Sequence, residues 1–155
     1  MLLKETIAAL IATLGFGIIF NIKGKNLIFA SIGGMISWLI YKLALQSTGS
    51  DIVGLFISSI VFSAYSEACA RILKTPVTTI VICALIPLVP GGGMYYTMYE
   101  AVRGDTAKAF NTLLTTLASA GTLALGVIFV STLTRLISSA RHHYIEVINK
   151  ERRPY

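Results

Sequence analysis

Charge is what this sequence lacks most. Of its 155 residues only 13% are charged, while 55% are hydrophobic, and the mean hydropathy is +0.76. Soluble domains carry about 25% charged residues, and one this apolar would expose large sticky patches. The deficit argues against a soluble domain and for a chain whose solvent is lipid. Cysteine is scarce as well. Cys69 and Cys83 lie in apolar stretches with no CxxC and no metal spacing, so both read as small buried hydrophobes.

Catalytic signatures are missing too. There is no HExxH, no GxSxG, no P-loop lysine and no pair of carboxylates within one helix turn. A membrane enzyme is therefore the weakest functional reading, and no cofactor is expected. Without an ATP-binding motif, active transport would draw on an ion gradient or on another subunit. The net charge of +6 sits largely in short loops and in the C-terminal stretch, which fits membrane orientation better than nucleic-acid binding. His142 and His143 belong to that basic stretch and read as solvated rather than as metal ligands.

What is present is a series of long apolar runs. Crossing the hydrocarbon core takes about 20 mostly apolar residues in a helix, and five segments approach that length. The first runs from about Glu5 to Phe20; it has no convincing small-residue cleavage site and reads as a retained helix rather than a signal peptide. The second covers Leu27 to Leu45 and the third Ile52 to Ala70. A fourth starts near Pro76, which suits a first-turn position, and a fifth runs from about Ala107 to Ile137. The expected fold is an all-α integral membrane protein, a bundle of about five transmembrane helices. Residues 1–140 form its single transmembrane domain, and residues 141–155 form a basic cytoplasmic tail.

The loop charges give it a direction. With the N-terminus outside, Lys23, Lys25, Arg71, Lys74, Arg135, Arg141, Lys150, Arg152 and Arg153 fall inside, against Lys4, Lys42, Arg103 and Lys108 outside. The alternation holds at every loop. Small residues recur at helix-contact spacing: Ala8, Ala12 and Gly15 in the first span, and Ala30, Gly33 or Gly34, and Ser37 in the second. Such faces allow close backbone approach, either within the subunit or between copies in a homo-oligomer.

The fourth span is interrupted. Pro87 and Pro90 cannot continue the i to i−4 ladder, and Gly91, Gly92 and Gly93 follow at once. Pro87 lies about 16 Å along the axis from Pro76, roughly at the bilayer midplane. Irregular backbone at that depth is tolerated only when buried in protein or lining a watery cavity. Transporters use such breaks to hold polar or anionic cargo on free carbonyls and half-helix N-termini. Pro87, Pro90, Gly91, Gly92, Gly93, Tyr95, Tyr96 and Asn111 are accordingly the candidate substrate-binding residues, with Tyr99 nearby. A kink leading to an outer-surface loop is the alternative.

Glu67 is the only acidic residue well within an apolar run, a functional candidate by default. Ser59, Ser63, Glu67 and Arg71 follow at i, i+4 spacing and form one polar stripe. Glu67 and Arg71 are the candidate coupling or gating pair; a simple ion pair near the inner interface is the alternative. A second stripe, Asn111, Thr115, Ser119, Thr122 and Gly126, lies on one face of the last helix and can either hydrogen-bond across helices or line a hydrophilic path.

Two runs carry a resemblance: Glu67-Ala68-Cys69-Ala70-Arg71-Ile72-Leu73-Lys74-Thr75-Pro76, and Ile86-Pro87-Leu88-Val89-Pro90-Gly91-Gly92-Gly93-Met94-Tyr95-Tyr96. Together they resemble the C-terminal (ThrE-like) domain of the threonine/serine exporter family. The resemblance covers nearly the whole chain in length and helix count, and its specific motif about thirty residues. It implies a secondary exporter of small carboxylates or amino acids, classically threonine and serine, with dicarboxylates such as succinate in a related branch. It also implies a larger membrane partner, because in the split form of the family two proteins share the transporter. The matching positions are Glu67, Arg71, Pro76, Pro87, Pro90, Gly91 and Tyr95, and the implied location is the bacterial plasma (inner) membrane. A non-transporting assembly subunit is the competing function.

Overall fold

A computed structural model describes the backbone of residues 2–151 and the side chains of residues 2–139. Every regular element among them is helical: α1 (Leu2–Ile19), α2 (Lys25–Thr48), α3 (Asp51–Leu73), α4 (Val77–Leu85), a 3₁₀ turn (Ile86–Leu88), α5 (Gly91–Val102) and α6 (Thr106–Glu151). The boundaries follow local chemistry. Gly49 ends α2 in the left-handed conformation at φ 66, its N–H donating to the Leu45 carbonyl, the cap that glycine forms without steric cost. Lys74 ends α3 in the same region at φ 51, and Pro76 follows to bar continuation.

Cross-helix contacts fix the directions. Lys42 Nζ of α2 lies 2.8 Å from Glu5 Oε2 of α1, and Gly34 lies against Thr13, so α1 and α2 are antiparallel. The Ser58 hydroxyl donates to the Ser37 carbonyl at 2.6 Å, Tyr65 donates to the Phe29 carbonyl at 2.9 Å, and Tyr41 donates to Asp51; α2 and α3 are antiparallel too. On α6, Gly126 sits against Ser59 of α3, and Arg135 shares a cavity with Glu67 and Arg71. Residue numbers rise together along this seam, so α3 and α6 run parallel.

That parallel seam settles the path of the fourth segment. Two parallel helices can be joined only by a connection that returns the full length between them. The α4 and α5 pair makes that return, bent by 54° at the break. A re-entrant hairpin would have left α6 antiparallel to α3. Among the described residues four helices are long and apolar enough to cross a membrane, or five with the bent pair taken as one span.

Two apolar clusters hold the bundle. Ala30, Cys69, Ala70, Ile80 and Cys83 pack at one level, and Leu55, Phe62, Ala84, Leu88 and Leu123 at another. Large apolar side chains such as Leu3, Ile11, Ile72 and Leu125 point outward, as expected where lipid is the solvent. Buried hydroxyls are mostly satisfied inside their own helix: Thr13 donates to the Ala9 carbonyl and Ser66 to the Phe62 carbonyl, both at 2.7 Å. Such back-bonding keeps polar side chains from costing desolvation in an apolar core.

Three expectations change. On α1 the buried positions are Thr6, Ala9, Thr13 and Gly17, while Ala8, Ala12 and Gly15 are exposed; both buried threonines donate to carbonyls of their own helix, which makes their burial tolerable. On α2 the small face Ala30, Gly33, Gly34 and Ser37 is buried as read. The last helix does not end near Ile137 but continues to Glu151, since residues 138–151 contain neither proline nor glycine and elongation of an existing helix is cheap. The side chains of 141–155, including His142 and His143, lie outside the described residues. Finally, Thr115 and Thr122 donate to carbonyls of α6 itself rather than across helices.

Candidate functional site

The third helix presents its polar stripe to α6. Ser59 and Ser63 are buried, Glu67 half-buried and Arg71 exposed, so the stripe climbs from the core to one end of the bundle. There α3, α4 and α6 draw apart around a cavity of about 370 Å³. Glu67 and Arg71 reach it from α3, Thr78 from α4, and Ser131, Thr134 and Arg135 from α6. Its volume falls within the usual range for small-molecule sites. Among the described residues no ion pair within 4 Å joins Glu67 to Arg71; the two line one space without closing on each other.

Ser63 lies one turn deeper on the same face. Its buried hydroxyl has no hydrogen-bond partner among the described residues, whereas Ser58, Ser59 and Ser66 all donate to carbonyls. An unpartnered buried hydroxyl is costly; Trp38 Nε1 is likewise buried without a partner, and Ser63 places such a group one turn from Glu67.

Two further cavities lie in sequence beside it, each sharing lining residues with the one before. Val81 and Val127 also border an apolar groove lined by Val89, Pro90, Met94 and Leu123. Val89 and Pro90 border in turn a third cavity with Trp38, Tyr41, Asp51 and Ser119. Through these shared lining residues the three make up a track from the Glu67 end of the bundle to the Asp51 end, its two ends on α3 and its middle a groove among α4, α5 and α6. Its middle is apolar and its two ends are polar.

The break lies on this track. Pro87 neighbours Ala12 and Trp38, and Leu88 packs with Leu55 and Phe62. Leu55 is one turn into α3, so the break lies between the middle of the bundle and its Asp51 end. Gly91 gives its N–H to the Val89 carbonyl at 2.7 Å. The N–H groups of Gly92 and Gly93 open α5 as first-turn donors. Gly93 is pressed against Thr116 of α6, which needs a residue without a Cβ.

Other candidate residues point elsewhere. Helix α5 has no buried residue; Tyr95 and Tyr96 are exposed, with ring centroids 5.3 Å apart. Tyr99 carries Arg103 over its ring at 5.3 Å. Asn111 is exposed on α6. Tyrosines clustered beside an arginine at the end of a bundle resemble the aromatic belt of a membrane interface. Pro87 and Pro90 thus line the track, while Gly91, Gly92, Tyr95, Tyr96 and Asn111 face away from the packed core. Arg135, Thr78, Ser131 and Thr134 are the site residues missed from sequence. The α6 trio has a signal, spacing of i, i+3 and i+4 on one helix face, but it lies close to the end of the last apolar run.

Comparison with known proteins adds the family. The family model described as threonine/serine exporter, ThrE, matches residues 5–133, from the first turn of α1 well into α6. No curated protein and no solved structure matches the chain.

Proposed function

The chain belongs to the threonine/serine exporter family, and from that premise we propose that it is the small membrane subunit of a secondary exporter, acting with a larger membrane partner. The family is one of transporters, not an enzyme class, and the chain is a multi-pass membrane protein. The observation that carries the proposal is the row of three cavities that share lining residues between the two ends of α3, with polar ends and the helix break bordering it. A purely structural subunit has no need of a charged cavity that shares its walls with a groove. The track's flank between α4 and α6 is open, and a partner subunit is the element that would seal it from lipid.

Orientation follows from charge. The loops at 20–24 and 74–76 meet at one end, where Asn26 Nδ2 donates to Thr75 Oγ1 at 3.3 Å, and that end carries Lys23, Lys25, Arg71, Lys74 and Arg135. The positive-inside rule makes it cytoplasmic, in the plasma (inner) membrane of a bacterium. The Glu67 cavity then faces the compartment from which an exporter loads.

Efflux of threonine, serine and succinate from cells expressing this chain alone, the partner alone, or both tests the proposal. Export is expected only with both. Full export from the partner alone would reduce this chain to an assembly subunit.

A further inference from the structure

We infer that the crevice between the end of α1 and the start of α4 is a binding site for an anionic phospholipid of the cytoplasmic leaflet. An acyl chain lies along Phe20 and Ile82, and the headgroup sits beside the Thr78 and Thr79 hydroxyls in the field of Lys23, Lys25 and Lys74. The inference rests on the orientation that charge assigns to the bundle and is independent of the exporter reading.

The crevice has a volume of about 320 Å³ and is lined by Phe20, Ile22, Thr78, Thr79 and Ile82. Local structure accounts for each wall. Helix α1 ends at Ile19, the chain turns at Asn21 with φ 57, and the Ile22 N–H donates back to the Gly17 carbonyl at 2.9 Å. Ile22 is thereby packed against the buried cluster that holds Ile80 and Cys83. Phe20 stays outside at 47% exposure, and Ile82 on α4 is 48% exposed. Ile82 stands three and four residues beyond Thr79 and Thr78, so the three share one face of α4. That face is hydroxylic at its start and apolar one turn deeper into the membrane.

The two hydroxyls are open to a ligand. Elsewhere threonines bond the carbonyl four residues back, as Thr13 and Thr116 do. Thr78 and Thr79 stand in the first turn of α4, with no turn of helix behind them.

Charge selects the occupant. Residues 20–26 and 71–79 carry Lys23, Lys25, Arg71 and Lys74 and no acidic residue, and the bond from Asn26 to Thr75 at 3.3 Å ties the two loops together. The three lysines are exposed and form no ion pair among the described residues. The acidic residue nearest in sequence, Glu67, lines the other cavity with Arg71 and Arg135. Free phosphate would meet the lysines and hydroxyls but leave the apolar wall unused. Phosphatidylcholine would bring its own ammonium group toward the lysines. A lipid of net negative charge satisfies both halves of the crevice, and basic segments at the cytoplasmic surface attract such lipids.

Native mass spectrometry tests this on the full chain, released from detergent micelles doped with equal amounts of phosphatidylglycerol and phosphatidylcholine. The wild type should retain phosphatidylglycerol at least fivefold over phosphatidylcholine. Lys23→Gln combined with Lys74→Gln should lower that ratio at least threefold. Ile82→Trp, which fills the crevice from an exposed position and leaves every charge in place, should do the same. Lys4→Gln, exposed at the opposite end of the bundle, should leave the ratio unchanged. Phosphatidylcholine retained by each variant is the internal reference, so a partly misfolded variant cannot mimic the result. Equal retention of the two lipids by the wild type overturns the proposal. So does a ratio indifferent to Ile82→Trp, a loss with Lys4→Gln as large as that from the lysine pair, or displacement of phosphatidylglycerol by inorganic phosphate.

Discussion

Gly126 of α6 lies directly against the side chain of Ser59 on α3. A Cβ at this position would strike the serine, so the two helices approach as closely as they do because one of them presents bare backbone. Helix association in lipid relies on this kind of contact, since no hydrophobic force pulls helices together there.

Gly126→Leu should therefore destabilise the protein by about 1–3 kcal/mol, the usual cost of overpacking, read as a lowered unfolding temperature in detergent. Gly121→Ala, where a Cβ meets nothing within 4 Å, should leave that temperature unchanged or raise it. Equal effects from the two would remove the seam as a specific contact.

Asp105 caps α6. Its carboxylate accepts the Lys108 N–H at 3.1 Å and pairs with the Lys108 ammonium at 2.7 Å. The hydrogen bond from the Lys108 side chain, with the backbone bond behind it, holds the Asp105 carboxyl below its ordinary value of 3.8. A lowered folded-state value means that the cap's support is fully present above the ordinary carboxylate range and is lost as pH falls through the lowered value. Protection of the Lys108 amide, its exchange rate referred to the intrinsic rate at the same pH, should thus be high at neutral pH and fall only in strong acid. Asp105→Ala should show low protection at every pH, and pH-independent protection in the wild type would contradict the cap.

Pro87 and Pro90 interrupt the fourth span where it borders the track. Replacing both with alanine restores two N–H groups and lets α4 extend. Threonine efflux with the partner present should fall several-fold at unchanged membrane abundance. Unchanged efflux would make the break a packing device alone.

Single cysteines can report the crossing number. Cys69 and Cys83 are buried free thiols and should react slowly with membrane-impermeant maleimide. Lys23→Cys should label from one side of the membrane, and both Thr48→Cys and Arg103→Cys from the other. Labelling of Arg103→Cys from the Lys23 side would mean that α4 and α5 turn back, and would undo the parallel seam.

Much of the architecture was legible because hydropathy alone sets the spans. The four straight helices lie where the apolar runs lie, and the break lies at the proline–glycine motif. Sequence spacing also put Glu67 and Arg71 on one stripe, since i, i+4 neighbours share a helix face whatever surrounds them. It could not supply Arg135, because what brings it to Glu67 is the Gly126 contact with Ser59, a tertiary event between helices far apart in the chain. The tyrosines are a different case. Their proximity to the glycines in sequence suggested a shared site, and α5 packs on α6 through Gly93 with Tyr95 and Tyr96 exposed on its other side. The threonines of α6 misled for a third reason: a hydroxyl that bonds its own helix says little about which way the helix faces.

The register of the α3 and α6 seam has one more consequence. Ser119 is the α6 residue that shares a cavity with Asp51, the first residue of α3, so the opening turns of α6, and α5 packed on them, rise past the end of α3. The apolar run of α6 from about Ala107 to Ile137 covers 31 residues and α3 covers 23, or about 46 and 35 Å at 1.5 Å per residue. A hydrocarbon layer about 30 Å thick can match the shorter helices nearly upright. The long arm is mismatched to the same layer and must lean, or thicken the lipid around it. Acyl-chain length is then a variable that acts on the arm carrying Arg135 while leaving the rest of the bundle at rest.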